Sequence, residues 1–355
     1  MFVIRSDILT FPFVISGSFG DPQRGREMAN AVDLMLEKSG MDMERMKSTA
    51  NVHNIGMTYP WTSPLHGCLA PLLKGYQWGL ESGDTESAMY NLMFRSWFLV
   101  YVGRPLDLVQ QELQANCDLM VYTNQLAIKY WVLPYLLLAS KLRGVEIDVD
   151  EKDFESIEEH CLEMKMIAHR ATAIIVQLEL LLFLSDWKAA AKKLGTEDLR
   201  QFVPGLYPSV RYTFLEALII LKRAQDVKSF IKKLGLKKRA LKPIKLLRGW
   251  VKNGNVNAVH YLHLVEAQLA ALEGMNTKAA EKYKLAIAAA TRGGFIQDRA
   301  LSHELASEYH AVTGNDFWRD YHFDSAIKSY TDWGASIKVT QLERKRKQKV
   351  SDADV

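Results

Sequence analysis

Apolar residues recur along most of this chain at intervals of three and four, the spacing that gathers them on one face of an α-helix. No alternating run of Val, Ile and Thr is long enough for a sheet strand. The pattern predicts helices over Gln23 to Ser39, Leu65 to Ser82, Thr85 to Val102, Leu106 to Leu142, Asp153 to Leu184, Trp187 to Leu194, Ser209 to Arg223, Asp226 to Leu234, Ile244 to Lys252, Ala258 to Gly274, Thr277 to Arg292, Gln297 to Thr313 and Phe317 to Trp333. Asp84 and Asp226 stand where N-caps belong, Pro105 sits at a first turn, and Gly83, Gly144, Gly274 and Gly314 punctuate helix ends. The predicted fold class is all-α.

A second spacing says how the helices pair. Ala279, Tyr283 and Ala286 place a small residue, an aromatic and a small residue on one helix face, so that a neighbouring helix can approach closely beside a filled groove. Ala326, Tyr330 and Trp333 repeat this 47 residues later, Ala267 and Ala270 supply small residues on the preceding helix, and Gly294 and Gly334 follow as stops. The expected architecture is an α-solenoid of stacked antiparallel helical hairpins, tetratricopeptide-like. Its expected divisions are N-terminal hairpins over 1–144, an acidic linker over 145–153 carrying Glu146, Asp148, Asp150, Glu151 and Asp153, C-terminal hairpins over 154–343, and a disordered tail over 344–355. In such a stack the end repeat has one neighbour, so Trp333 is expected to anchor an end that frays on its own.

Three blocks carry a resemblance to known proteins. One runs from Pro64-Leu65 through Leu72-Leu73-Lys74-Gly75-Tyr76 and Gly79-Leu80-Glu81-Ser82-Gly83-Asp84 to Ala88 and Gly103-Arg104-Pro105-Leu106. Another holds Trp250-Val251-Lys252, His260-Tyr261-Leu262 and Leu264-Val265-Glu266-Ala267. The most specific joins Gly294-Phe295-Ile296, Arg299-Ala300-Leu301 and Glu304-Leu305-Ala306 to Trp333-Gly334-Ala335 and Lys338-Val339. In these blocks the chain resembles the helical-repeat middle region of large signalling proteins, in which kinase-like and AAA-type ATPase domains precede the repeats and a GAF, histidine-kinase or cyclase output follows. The resemblance spans most of residues 20 to 343, loosely over about 145 to 245, and brings no catalytic residue with it.

The catalytic parts of that family have no counterpart in this sequence. Gly-x-x-x-x-Gly-Lys-Ser/Thr occurs nowhere; the nearest glycine cluster, Ser16-Gly17-Ser18-Phe19-Gly20, lacks the lysine and is followed by Pro22. His-Arg-Asp and Asp-Phe-Gly are absent too. His303-Glu304 opens like a zinc-protease helix, but Ser307 stands where the second histidine is needed and His310 comes three positions late. His260 and His263 are a turn apart without a third ligand at recognisable spacing, and His160 and Cys161 are adjacent on a helix and so face apart. The expectation is no catalytic residue, no metal and no cofactor.

Composition enters as a bound. At 355 residues and 48% hydrophobic the chain can bury a sizeable core, and three widely spaced cysteines, Cys68, Cys117 and Cys161, read as core residues of a reducing compartment rather than a disulfide framework. Leu9 to Gly17 resembles a short signal-peptide core but is broken by Pro12 and reads as a first helix; Ala171 to Leu184, broken by Gln177 and Glu179, reads as a buried helix and not a membrane span.

Charge is where the sequence stands out. From Lys222 to Lys252 twelve basic residues face a single acid, Asp226, within a chain of net charge +4. Phe230, Ile231, Leu234, Leu236, Leu241, Ile244, Leu247 and Trp250 interleave, predicting two short amphipathic basic helices that meet over Gly235 to Pro243. The run admits two readings: the solvated outer face of a repeat protein, or a docking surface whose contact residues are Lys232, Lys233, Lys237, Lys238, Arg239, Lys242, Lys245 and Arg248. Arg344-Lys345-Arg346-Lys347-Gln348-Lys349 is a separate basic stretch, nuclear-address-like or simply soluble.

Two functions are expected from this. The first is a non-catalytic interaction scaffold or regulatory module of a signalling ATPase or kinase system, cytoplasmic, binding a protein or peptide in its concave groove and acting on an ATPase or kinase domain in cis or in trans. The other is a helical-repeat protein that binds nucleic acid or an anionic surface through residues 222–252.

Overall fold

The computed structural model describes residues 6–18, 20–38 and 44–353. Among them helices follow one another and no strand occurs. They are α1 (Ser6–Phe13), α2 (Pro22–Lys38), α3 (Glu44–Asn51), α4 (Leu69–Glu81), α5 (Thr85–Tyr101), α6 (Leu106–Tyr122), α7 (Leu126–Arg143), α8 (Phe154–Glu163), α9 (Ile167–Phe183), α10 (Trp187–Leu194), α11 (Tyr207–Asp226), α12 (Phe230–Lys252), α13 (Val259–Leu272), α14 (Asn276–Gly293), α15 (Ile296–Val312), α16 (Asp316–Trp333) and α17 (Ser336–Ala353).

From α4 onward the helices stack as antiparallel hairpins in two layers. Odd-numbered helices from α5 to α15 are inside and buried around much of their surface; α5, for example, buries Met89, Leu92, Met93, Phe94, Trp97 and Phe98 in under three turns. Even-numbered helices are outside and bury one stripe, as α4 does with Leu69, Leu72, Gly75 and Gly79. Inner helices touch in succession, α5 to α7, then α9, α11, α13 and α15. The row then curls back on itself. Gln297 on α15 donates to the Tyr101 carbonyl at the end of α5, at 2.6 Å, and α17 packs on α7. Gly103 permits the first contact, because a Cβ there would lie 2.0 Å from Gln297.

Most of the tight turns share one device. An amide bonds the carbonyl five residues back, as Asp84 to Gly79, Gln125 to Met120, Met166 to Cys161, Asp186 to Leu181 and Asn315 to His310, around a residue of positive φ. Where that residue is Gly83, Gly274 or Gly314, the break is the predicted one. Where it is Asn124 or Lys165, at φ 57° and 56°, the pattern predicts one long helix and the chain instead turns, so Leu106 to Leu142 is α6 and α7 and Asp153 to Leu184 is α8 and α9. Asn124 is a residue type that tolerates the left-handed region, a stop signal that the helical periodicity hides, whereas Lys165 carries no such signal and is held there by tertiary packing.

The curl is filled by a buried ionic hub. Arg211 on α11 is wholly buried; its Nη1 donates to Asp298 Oδ1 on α15 and its Nη2 to Glu179 Oε1 on α9, both at 2.7 Å. His260 on α13 donates to the other Asp298 oxygen at 3.1 Å. Burial pushes the Asp298 carboxyl up, but Arg211 and His260 outweigh it and hold its pKa below the usual range. Glu179 receives only Arg211, its second oxygen has no hydrogen-bond partner, and burial leaves its pKa raised. Tyr101 and Tyr135, hydroxyl to hydroxyl at 2.7 Å, and Tyr207, edge-on to Tyr101 at 5.0 Å, complete the plug. These side chains are buried where the inner helices meet.

A second buried pair locks the C-terminal end. Lys338 on α17 donates to Glu304 on α15 at 2.6 Å, and Glu304 also accepts from Tyr330 on α16 and from Ser185, both at 2.9 Å. Ser185 is the positive-φ residue of the α9–α10 turn, so this network joins that turn to the last three helices. Trp333 sits 1% exposed with its ring 5.0 Å from Phe183 on α9, and Gly334 ends α16 at φ +90°.

The acidic segment 145–153 is pinned to α7, where Lys129 meets Glu151 at 3.1 Å and Tyr130 donates to the same carboxylate. One apolar cluster runs from Val52 on one side of it to Leu342 on the other. Beyond it lie two corrections. Residues 344–353, expected as a disordered tail, continue α17, whose Lys/Arg/Gln-rich run contains no breaker; residues 354 and 355 lie outside the described residues. The two basic helices expected to meet over Gly235 to Pro243 are one helix, α12, and Asp226, expected to cap the first of them, ends α11 while Ser229 caps α12. Pro243 is buried within α12, so packing against α11 overrides the breaker.

Two expectations follow. Because Trp333 contacts α9 as well as its own hairpin, Trp333→Ala is expected to cost about 3–5 kcal/mol and to lower hydrogen-exchange protection in α9 together with α16 and α17. Loss confined to α16 and α17 would show an independently fraying end. The second concerns pH. Burial holds His303 down at about 3, and His169 and His322 at about 4. A depressed imidazole makes the unfolded chain the better proton binder, so this stability is complete above the unfolded value of ~6.5 and is lost as pH falls toward ~4. Glu179 and Asp33, whose pKa values burial raises, oppose the trend. The urea midpoint is expected to be lower at about pH 5 than at about pH 7.5; equal midpoints would show that these rings charge freely in the fold.

Candidate docking surface on the basic helix

α12 is the outer helix of the α11–α12 hairpin, and it is seated unevenly. Ala240, Pro243, Ile244 and Leu247, spaced three and four apart, are buried as one stripe. N-terminal to Ala240 the helix buries nothing fully. Phe230 is 76% and Ile231 81% exposed, and Leu234 and Leu241 are exposed beside them. The sequence spacing could have shown this: a stripe at 240, 243, 244 and 247 places 230, 234 and 241 on a different face.

The structure divides the eight expected contact residues. Lys237 pairs with Glu273 at 2.5 Å, Lys242 with Asp198 at 3.6 Å and Arg248 with Glu266 at 2.7 Å, while Arg239 donates to the Gly195 carbonyl at 3.1 Å. These four are tied to the fold, though such partly exposed pairs contribute only about 0–1 kcal/mol each. Lys232, Lys238 and Lys245 are exposed and have no acidic partner. Lys233, half-buried, lines a cleft of about 470 Å³ with Lys222, Gln268 and Tyr283. Lys228, Arg223 and Lys252 extend the exposed positive charge along both ends. The arrangement is a helix start that presents two large apolar side chains, with Lys228 and Lys232 beside them in sequence and Lys238 and Lys245 further along the same helix.

The other candidate groups disperse. His260 faces Asp298 in the hub; His263 is a separate half-buried ring. His160 stacks on Tyr130 at 4.2 Å, and the neighbouring Cys161 thiol is pushed up to about 11 by burial, away from a thiolate at neutral pH. Cys68 and Cys117 are buried and raised to about 12, as core thiols are. Among the described residues no group of three or more His, Cys, Asp or Glu side chains is placed to hold a metal ion, and no helix is long and apolar enough to cross a membrane.

Because Lys232, Lys238 and Lys245 support nothing inside the fold, reversing all three to Glu is expected to leave helicity intact and to change stability by no more than about 0.5 kcal/mol per site. The same variant is expected to elute from heparin at lower salt than the parent chain. Unchanged elution with an intact fold would reduce these lysines to a solvated face.

No model of a known protein family matches this chain, and no curated protein sequence matches it.

Proposed function

We propose that this protein is a non-catalytic interaction module that docks an acidic, amphipathic protein segment on α12. One observation carries the reading: Phe230 and Ile231 stand in solvent at the start of a helix on which exposed Lys232, Lys238 and Lys245 lack acidic partners among the described residues. Exposed large apolar side chains framed by charge mark sites of association, since their transfer out of water supplies affinity while the cations select the partner. An acidic helix with an apolar stripe satisfies both halves of that chemistry.

The resemblance to the repeat regions of signalling ATPases and kinases gives the module its context: a regulatory scaffold acting on such a domain in cis or in trans.

The test is titration of the parent chain and two variants with three probes: a synthetic Glu/Leu amphipathic peptide, poly-glutamate and a DNA duplex. Phe230→Ser with Ile231→Ser is expected to weaken the peptide at least about tenfold, the equivalent of ~1.4 kcal/mol, and to leave poly-glutamate unchanged. Reversal of Lys232, Lys238 and Lys245 is expected to weaken both. If the duplex binds as tightly as the peptide and the Phe230/Ile231 change is silent, an electrostatic nucleic-acid or anionic-surface function through residues 222–252 replaces the scaffold.

A further inference from the structure

Away from α12, the outer helices α14 and α16 flank a cleft of about 680 Å³ whose floor is α15. The volume lies in the range of small-molecule sites. Its lining is mostly apolar and unusually rich in rings: His303 and His310 from α15, and Trp318, Tyr321 and His322 from α16. On the α14 side Ala280 and Ala288 leave the space open.

The rings are arranged as a wall. His310 and His322 lie with planes 9° apart at 5.5 Å, and Trp318 closes a triangle with them, 29° from His322 at 5.8 Å and 31° from His310 at 6.4 Å. Tyr321 stands edge-on to Trp318 at 5.5 Å. A hydrogen bond of 2.9 Å between the Nδ1 atoms of His303 and His322 fixes one imidazole against the other and engages both of those nitrogens, which argues against a metal there. Burial keeps all three imidazoles below their usual pKa, so the wall is uncharged at neutral pH. At the rim Glu281 and Lys284, three positions apart on α14 and both exposed, carry opposite charges and neither takes part in an ion pair of the fold.

We propose that this cleft binds a free aromatic α-amino acid, its ring stacked on the Trp318–His322–His310 wall and its carboxylate and ammonium groups paired with Lys284 and Glu281. A flat ring matches near-parallel ring faces. A zwitterion matches a rim that offers one charge of each sign. This site is independent of α12 and of the docking function.

Calorimetric titration with four probes tests it: L-tryptophan, indole, L-cyclohexylalanine and N-acetyl-tryptophanamide. L-Tryptophan is expected to bind, indole more weakly for lack of the charges, and cyclohexylalanine least for lack of a flat ring. Trp318→Ala, a truncation of a ring 43% exposed, is expected to weaken L-tryptophan about tenfold. Ala288→Phe, which fills the cleft and removes no wall residue, is expected to abolish binding with circular dichroism unchanged. No heat with L-tryptophan at about 1 mM, or binding that survives Ala288→Phe, would overturn the proposal. So would N-acetyl-tryptophanamide binding as tightly as the amino acid, since the cleft would then read a protein side chain.

Discussion

Arg211 is the residue on which the shape of this protein turns. A guanidinium without solvent contact costs several kcal/mol in lost hydration, and the fold tolerates it only because carboxylates arrive from α9 and α15 while aromatic rings of α11 and α13 lie beside it. Those partners come from different hairpins. Satisfying one buried charge therefore fixes the distance between helices that an open stack would let drift apart, and it draws the inner row into its curl. The asymmetry of its two partners is instructive: Asp298, with a second donor in His260, keeps its charge, whereas Glu179 retains an oxygen without a partner and a raised pKa. Such networks define a unique arrangement more than they add stability.

The Glu304–Lys338 network does for the end of the stack what the hub does for its centre. A terminal hairpin normally has one neighbour. Here α17 lies against α7, and Lys338 reaches the α9–α10 turn through Ser185, so the last helix has contacts at both ends of the inner row. Glu304, Lys338, Tyr330, Ser185 and the buried Trp333 build this closure.

α12 and the α14–α16 cleft are both outer-layer features, and each exists because an outer helix needs only one buried stripe. In α12 the stripe ends at Ala240, which frees the preceding turns to hold apolar and basic residues together. In α14 alanines at the stripe's border leave a gap that α15 and α16 line with rings.

By itself the sequence determined what depends on near neighbours. Helix periodicity, the Asp84 cap, the glycine turns at Gly83, Gly274 and Gly314, and the last three predicted helices, each within one or two residues, are encoded over a few positions and were legible. So was the basic run of residues 222–252, though not which of its cations the fold would occupy: Glu273, Asp198 and Glu266, which claim three of them, lie on other elements. Only the tertiary structure decided the turn at Lys165, whose left-handed backbone no local preference announces, and the continuity of α12 through Pro243. It decided the hub as well. Arg211 and Asp298 stand 87 residues apart, and nothing in either's neighbourhood names the other; their pairing exists because the packed inner helices bring the two buried charges together, and a buried charge needs a partner.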